Sequence, residues 1–233
     1  MPSPSPLEYG VTYHIYNRGI NGENVFMEKR NYRFFLERYA KYVEPVAFTY
    51  AYCLMKNHFH LLIRTKTPGE QASGETLKVF GDAPVSKHTS ASDGAPQTHD
   101  TPLETFRVLA PSQQFSNLFN AYAKTFNKTY GRTGSLFEHP FHRIEVTTDA
   151  YFARLIPYIH QNPQLHGFVD DFREWPFSSY HAMLSERPTR VARDAALAWC
   201  GGRDGFVDCH GVRVGVEPIA GVVLEDVEDR PGE

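Results

Sequence analysis

The sequence predicts an α+β protein, and three observations support this. Short segments rich in β-branched and aromatic residues are typical of strands and occupy residues 11–16, 46–54, 58–63 and 141–146. Longer segments with apolar residues at every third or fourth position are typical of amphipathic helices and occupy residues 31–43, 112–130 and 148–162. The tight link Lys56-Asn57 between two of the strands indicates an antiparallel hairpin.

Turn and cap residues separate these elements in order along the chain. Asn-Arg-Gly (17–19) ends the first strand, and Pro45 follows the first helix closely. Gly131 ends the second helix and opens the loop Gly-Arg-Thr-Gly-Ser (131–135), a plain turn or a phosphate-binding loop. Asp149 is a cap or first-turn acid for the third helix, and Pro163 is expected to stop it.

Two segments differ from this pattern. Residues 67–111 are rich in Pro, Ser, Thr, Gly and Asp, so they bury too little apolar surface to offset the entropy of ordering. They predict a flexible insert, with one short amphipathic piece around 103–109. Residues 191–233 carry more acidic than basic side chains and predict an acidic C-terminal appendage, whose role the sequence does not indicate.

Composition narrows the class of protein. The chain has 233 residues, a hydrophobic content of 41% and a formal net charge of −3, which are ordinary values for a globular protein. No apolar run approaches the ~18 residues of a membrane span, and three scattered cysteines do not make a disulfide framework. We therefore expect a cytoplasmic protein without a membrane segment. Basic residues exceed acidic ones over residues 1–66, which is compatible with a polyanionic partner.

The stretch Asn-His-Phe-His-Leu-Leu-Ile (57–63) is the first candidate for chemistry. Side chains in a strand alternate between the two faces, so His58 and His60 point the same way while Phe59 points into a core. The two imidazoles are then close enough to bind one metal ion, and neutral imidazole is a common ligand for zinc, manganese and iron. The alternative is a pair of structural histidines inside the protein.

A second constellation lies in Tyr-Ile-His-Gln-Asn-Pro (158–163). Tyr158 and Asn162 are four residues apart, so they lie one above the other on one helix face. The Asn162 side-chain oxygen is a candidate to complete the ligand set of a metal, with the Tyr158 hydroxyl beside it as a nucleophile. Pro157 lies inside the presumed helix and removes one backbone hydrogen bond, which predicts a kink beside the tyrosine.

Four segments in this order and spacing resemble the single-tyrosine HUH transposases, and most closely the REP-associated tyrosine transposases. They are Tyr-His-Ile-Tyr-Asn-Arg-Gly (13–19), Asn-His-Phe-His-Leu-Leu-Ile (57–63), Gly-Arg-Thr-Gly-Ser-Leu-Phe (131–137) and Tyr-Ile-His-Gln-Asn-Pro (158–163). A Trp-Pro-Phe-Ser-Ser-Tyr segment (175–180) is also similar to that branch. The resemblance covers a domain from 9 to 182, interrupted by the insert.

The resemblance implies a ferredoxin-like domain with a central antiparallel sheet of four to five strands and helices on one face. It implies cleavage of single-stranded DNA beside a hairpin, through a covalent 5′-phosphotyrosine at Tyr158 and a free 3′-OH. His58 and His60 would bind Mg²⁺ or Mn²⁺, with Asn162 as the third ligand. A tyrosine phenol ionises at about pH 10, so metal and positioning must supply most of its activation.

Recognition of DNA is expected to depend on basic residues near the sheet and its loops, together with aromatic stacking partners. The candidate stacking residues are Tyr13, Tyr16, Tyr122 and Phe137. The candidate basic residues are Arg18, Lys56, Lys124, Lys128, Arg132 and Arg143. The protein is expected to act as a monomer or a homodimer. Two alternatives stay open, a non-cleaving hairpin-binding protein and an unrelated two-histidine metal hydrolase.

Overall fold

The computed structural model describes residues 5–73 and 107–212. Its centre is an antiparallel sheet of four strands in the order β2-β3-β1-β4. The strands are β1 (Thr12–Arg18), β2 (Ala47–Leu54), β3 (His58–Thr65) and β4 (His142–Glu145). The helices are α1 (Lys29–Tyr42), α2 (Pro68–Ala72), α3 (Pro111–Tyr130), α4 (Asp149–Leu165), α5 (Tyr180–Leu184), α6 (Arg193–Trp199) and α7 (Gly202–Gly211). The predicted α+β class with an antiparallel sheet is confirmed, and the β-α-β-β-α-β succession gives the ferredoxin-like strand order.

The two faces of the sheet carry different helices. Phe59 of β3 packs against Phe35 of α1 and Phe119 of α3, with ring centroids 5.3 and 5.7 Å apart. His60, the next residue, points to the other face and meets Tyr158 of α4. The expectation of helices on one face therefore holds for α1 and α3 and is corrected for α4. Because the side chains of a strand alternate between the two faces of the sheet, a helix that contacts the histidines must pack on the face opposite to α1 and α3.

Helix α4 passes through both of its prolines. Thr148 caps its start by accepting a hydrogen bond from the Tyr151 N–H at 3.2 Å. The expectation that Pro163 stops the helix is wrong, because α4 continues to Leu165. Gly167, at φ 70°, ends it, and the N–H groups of Gly167 and Phe168 satisfy two of the last carbonyls at 3.1 and 2.8 Å.

The ends of the predicted insert are folded against each other. Thr67 and Glu70 form a reciprocal cap at the start of α2. The Gln71 side chain donates to the Leu109 carbonyl at 3.1 Å and accepts from the Leu109 N–H at 2.9 Å. Residues 74–106, and with them most of the predicted amphipathic piece, lie outside the described residues.

The described part of the C-terminal segment packs into the body of the protein. Helices α6 and α7 contact each other and α4, and α6 also contacts β2. Ala196 and Phe206 are fully buried in the core. The rest of the predicted acidic appendage, from residue 213 onward, lies outside the described residues.

Candidate functional site

A cluster of imidazoles lies on the face of the sheet that α4 covers. His58 and His60 share this face of β3, with their ring centroids 5.3 Å apart. His14 of β1 joins them, because its Nε2 lies 2.9 Å from Nδ1 of His60. Both His14 and His60 are fully buried, and His58 is nearly so. The sequence pattern therefore places the two predicted ligand histidines together, and the neighbouring strand adds a third.

Hydrogen bonds fix the orientation of the two predicted ligands. Nδ1 of His58 lies 2.7 Å from Oδ1 of Asn57, and an amide oxygen only accepts, so Nδ1 carries the proton. Nε2 is then the nitrogen of His58 that can bind a metal, an arrangement typical of metal-ligating histidines. Nδ1 of His60 is similarly engaged by His14. Burial, together with His14 and His166 nearby, holds the pKa of His60 well below its ordinary value, so this imidazole is neutral.

Tyr158 reaches this cluster from α4. Its ring centroid lies 5.7 Å from that of His60 and 6.3 Å from that of His14, and both contacts are edge-to-face. The side chain is only 6% exposed. The predicted nucleophile and the predicted metal ligands, which come from opposite ends of the domain sequence, therefore meet on one face of the sheet.

Asn162 lies one helical turn beyond Tyr158 and is fully buried. Its Nδ2 donates to the Tyr158 carbonyl at 3.0 Å. Its Oδ1 has no hydrogen-bond partner among the described residues. A buried acceptor without a partner is uncommon in proteins and often marks a position where a ligand binds. This oxygen therefore fits the predicted role of Asn162 as a metal ligand.

His166 is a residue of this site that sequence reasoning missed. It follows Asn162 by four residues, so it continues the stripe that Tyr158 begins. Its ring lies edge-to-face with that of His58, with centroids 4.8 Å apart. The four-residue spacing is a signal in the sequence, but a helix that ends at Pro163 does not extend it to His166.

The donor set fits an open site for a hard or borderline divalent cation. The predicted ligands are two imidazole nitrogens and one amide oxygen, which leaves positions for water and a phosphate oxygen. Within residues 5–73 and 107–212, no group of three or more His, Cys, Asp or Glu side chains is arranged so that it could bind a metal ion.

Two of the predicted DNA-binding residues lie beside the cluster. Arg18 is directly opposite His58 in the β1–β3 register, and its Nε lies 3.7 Å from a carboxylate oxygen of Glu138. Lys56 lies in the β2–β3 turn, with its Nζ 5.5 Å from the ring centroid of Phe168, two residues beyond His166. These two cations flank the His58 end of the site.

The other four predicted DNA-binding residues lie elsewhere. Lys124 and Lys128 are exposed on α3, the helix that packs on the opposite face of the sheet. Arg143 of β4 pairs with Ile15 in the register and so points to that same opposite face, where it lies over the Phe141 ring. Arg132 forms an ion pair with Glu23 and donates to Asn127 at 3.0 Å.

His160, between Tyr158 and Asn162, belongs to a different cluster. Its Nδ1 lies 2.8 Å from Nε2 of His210 in α7, and its Nε2 lies 2.7 Å from the hydroxyl of Ser179. Ser179 in turn bonds to the backbone of Tyr52 in β2. His160 therefore anchors α4 to α7 and to the sheet, while its neighbours on the helix face the imidazole cluster.

The fold and the site together define a class of protein, in which a helix tyrosine faces paired histidines on an antiparallel sheet. No protein-family model matches the chain. Over 77 residues it is 29% identical to a Haemophilus influenzae protein described as "Putative REP-associated tyrosine transposase". The match covers 32% of this chain and 44% of the relative, so it spans less than half the length of that protein. The resemblance to REP-associated tyrosine transposases is confirmed.

A solved structure of a REP-associated tyrosine transposase bound to a REP hairpin is also similar to this chain. The superposition covers 81% of this chain and 88% of that one, with a TM-score of 0.49 and 16% sequence identity.

Within the residues that the structure describes, every helix is too short or too polar to cross a membrane.

Proposed function

We propose that this protein is a metal-dependent nickase and strand transferase for single-stranded DNA, acting beside a DNA hairpin through a covalent 5′-phosphotyrosine. The observation that carries the proposal is the edge-to-face packing of Tyr158 on His60 and His14, one turn from the Asn162 oxygen that has no hydrogen-bond partner among the described residues. The resemblance to tyrosine transposases supports the choice of DNA as substrate and of a hairpin as the feature recognised.

Each residue of the proposed metal site has a separate role. His58 and His60 would bind Mg²⁺ or Mn²⁺ through Nε2, with Asn162 Oδ1 as a further ligand. When bound, the ion polarises a non-bridging phosphate oxygen and lowers the cost of charge in the transition state. Asn57 and His14 hold the two imidazoles in orientation.

Tyr158 is the nucleophile of the proposed reaction. Its oxygen forms a bond to phosphorus as the bond from phosphorus to the 3′-oxygen breaks. The phenol loses its proton and the 3′-oxygen gains one, so no water or high-energy cofactor is consumed. Because a phosphodiester bond replaces a phosphodiester bond, the step is reversible, and a second 3′-OH can attack the phosphotyrosine and rejoin strands. Burial of the tyrosine ring restricts its rotamers, which favours attack from one direction.

One chain supplies both the tyrosine and the histidines of this site. The proposed chemistry therefore requires no residue from a second copy, whether the protein is a monomer or a homodimer.

The test is formation of a covalent protein–DNA adduct. The protein is incubated with Mn²⁺ and labelled single-stranded DNA carrying a hairpin, and denaturing electrophoresis is used to look for a band that resists denaturant. We expect the band with the wild type and its loss in Tyr158→Phe and on chelation. Tyr180→Phe is the matched control, since Tyr180 is also a buried tyrosine but packs against Phe206 and His210. A band that survives Tyr158→Phe contradicts the assignment of the nucleophile.

Burial of Tyr158 also favours a second candidate function, a hairpin-binding protein that does not cleave. Its side chain is 6% exposed, so a bound phosphate must find access to a largely covered hydroxyl. This candidate predicts hairpin binding by the wild type at the same affinity as Tyr158→Phe, with no adduct in either protein.

A further inference from the structure

The face of the sheet that holds the imidazole cluster is only partly covered by α4. This helix lies over β2 and β3, with Phe152 packed on Tyr50 at the β2 side. Towards β4, which is one of the two edge strands of the sheet, the same face carries two side chains that are only half-buried, Tyr16 of β1 and His142 of β4. Among the described residues, a strip that is not fully covered therefore runs from the predicted metal ligands to the edge of the sheet.

A row of aromatic rings follows this strip. Tyr16 stands directly between His60 and His142 in the strand register. Its ring is nearly parallel to both neighbours, at 5.6 Å and 25° from His60 and at 4.7 Å and 10° from His142. His142 is therefore the last ring of a stack that begins at a predicted metal ligand, about 10 Å away by two strand spacings.

Tyr16 is also the one candidate stacking residue that the fold leaves accessible. Tyr13, Tyr122 and Phe137 are all buried, and the last two lie in the core on the α3 side of the sheet. Tyr16, by contrast, is half-buried on the face that carries His60.

Two charged side chains flank the end of the row. Glu138 lies 4.0 Å from Nε2 of His142 and 3.7 Å from Nε of Arg18, so it connects the last ring of the stack to a cation opposite His58. The carboxylate lies within ion-pair distance of the His142 ring, and the Arg18 guanidinium, opposite His58, is a donor for a phosphate held at the histidine pair. An aromatic surface beside a cation is the arrangement with which proteins bind unpaired nucleotides.

We propose that the Tyr16–His142 row is a stacking subsite for one unpaired nucleobase of the DNA strand. The base stacks on the His142 ring and so extends the row, near the phosphate held at His58 and His60. This inference rests on the proposed function for the identity of the ligand, and it adds the path of the single strand across β1 and β4. His142 contacts the base, while Tyr16 acts as a positioning residue that supports the His142 ring from behind.

The test combines an abasic scan with a variant of the platform. Hairpin-bearing single-stranded DNA is prepared with one abasic site at each unpaired position in turn. Its affinity for the full-length Tyr158→Phe protein is measured by fluorescence anisotropy, so that no covalent trapping distorts the equilibrium. We expect one position at which loss of the base weakens binding about tenfold, in the range of a single base–aromatic stack. In the double variant His142→Ala, Tyr158→Phe, loss of the base at that position should no longer weaken binding.

Controls separate stacking from folding. His142→Phe keeps an aromatic ring and should keep the position-specific effect, as should Tyr16→Phe. His181→Ala removes an exposed histidine outside the sheet and should change nothing. Each variant must show the same thermal unfolding midpoint as its parent within 3 to 4 °C, about the shift expected for 1 kcal/mol.

The outcomes distinguish this proposal from the proposed function. An adduct with the wild type together with the coupled loss at His142 supports both. An adduct without any coupled position overturns the stacking subsite and leaves the enzyme. Coupling without an adduct supports the subsite in a protein that binds and does not cleave. Absence of binding to the hairpin-bearing strand overturns both.

Discussion

The ring of Tyr158 lies edge-on against the imidazole of His60, with centroids 5.7 Å apart and planes at 75°. The two residues come from α4 and β3, and α4 brings them together by crossing the face of the sheet opposite to α1 and α3. The other site residues of this segment follow from the position of Tyr158. Asn162 lies one helical turn further along α4, and His166, just after the helix, lies beside His58.

Removal of the Asn57 side chain should weaken metal binding. In Asn57→Ala, Nδ1 of His58 loses its acceptor at 2.7 Å, and the ring is no longer held in one tautomer. We expect affinity for Mn²⁺ to fall by about 10-fold to 100-fold, as for other outer-shell partners of histidine ligands. Isothermal titration calorimetry measures this directly. Asn57→Asp should restore most of the loss, and Asn120→Ala, exposed on α3, should have no effect. Unchanged affinity in Asn57→Ala would contradict the assignment of His58 as a ligand.

Asn162→Ala should separate metal binding from stability. The variant removes the Oδ1 acceptor that has no partner among the described residues, and with it the Nδ2 bond to the Tyr158 carbonyl, so the metal-free protein is also less stable and the ligand role is judged from the Mn²⁺-induced shift alone. Ligand binding to the folded state raises the unfolding midpoint, and we expect the shift produced by saturating Mn²⁺ to shrink in the variant. Differential scanning fluorimetry with and without Mn²⁺ gives both quantities. A full Mn²⁺-induced shift in Asn162→Ala would remove this residue from the ligand set.

His166 is expected to support His58 by packing. Its ring contacts that of His58 edge-to-face, with centroids 4.8 Å apart. His166→Phe should therefore retain affinity for Mn²⁺, whereas His166→Ala should lower it by several-fold because His58 gains freedom. Isothermal titration calorimetry with Mn²⁺ measures the affinity of both variants. If His166→Phe is as weak as His166→Ala, then the imidazole nitrogen itself is required.

His160 should be important for stability. It is fully buried and bonded through both ring nitrogens, to His210 and to Ser179. His160→Ala leaves a cavity and removes the buried bonds to Nε2 of His210 and to the Ser179 hydroxyl, so we expect the free energy of unfolding to fall by about 2 to 4 kcal/mol. Urea denaturation followed by circular dichroism measures the change. Asn120→Ala, at an exposed position of α3, should stay within about 0.5 kcal/mol of the wild type. A similarly small change in His160→Ala would mean that α4 is anchored by other contacts.

The ion pair at the base of the insert should give a defined pH dependence. Arg64 lies 2.6 Å from Glu70 and, with the Thr67 backbone N–H, lowers the pKa of Glu70 to about 2. A carboxyl group with a lowered pKa in the folded state contributes stability above its unfolded pKa of about 4.3 and loses it as the pH falls towards 2. The difference in unfolding midpoint between wild type and Glu70→Gln should therefore be present at pH 6 and vanish near pH 2. A difference that does not depend on pH would assign the effect to packing.

Much of the fold could be read from the sequence because it depends on local patterns. Alternation in residues 58–63 predicted that the two histidines share a face, and the structure agrees. Four-residue spacing predicted that Tyr158 and Asn162 share a helix face, and the bond from Asn162 to the Tyr158 carbonyl follows from the same geometry. These periodicities are set by the backbone of a single element, and so the sequence of that element is enough.

The tertiary structure decided which faces meet. The sequence could not show that α4 packs opposite α1 and α3, that Arg143 points away from the histidines, or that His14 and His166 join them. Nor could it show that His160 turns towards α7 while its neighbours face the sheet. The physical reason is that strand register and helix packing are chosen by contacts between distant segments, and a shift of one residue in register would turn every side chain to the other face.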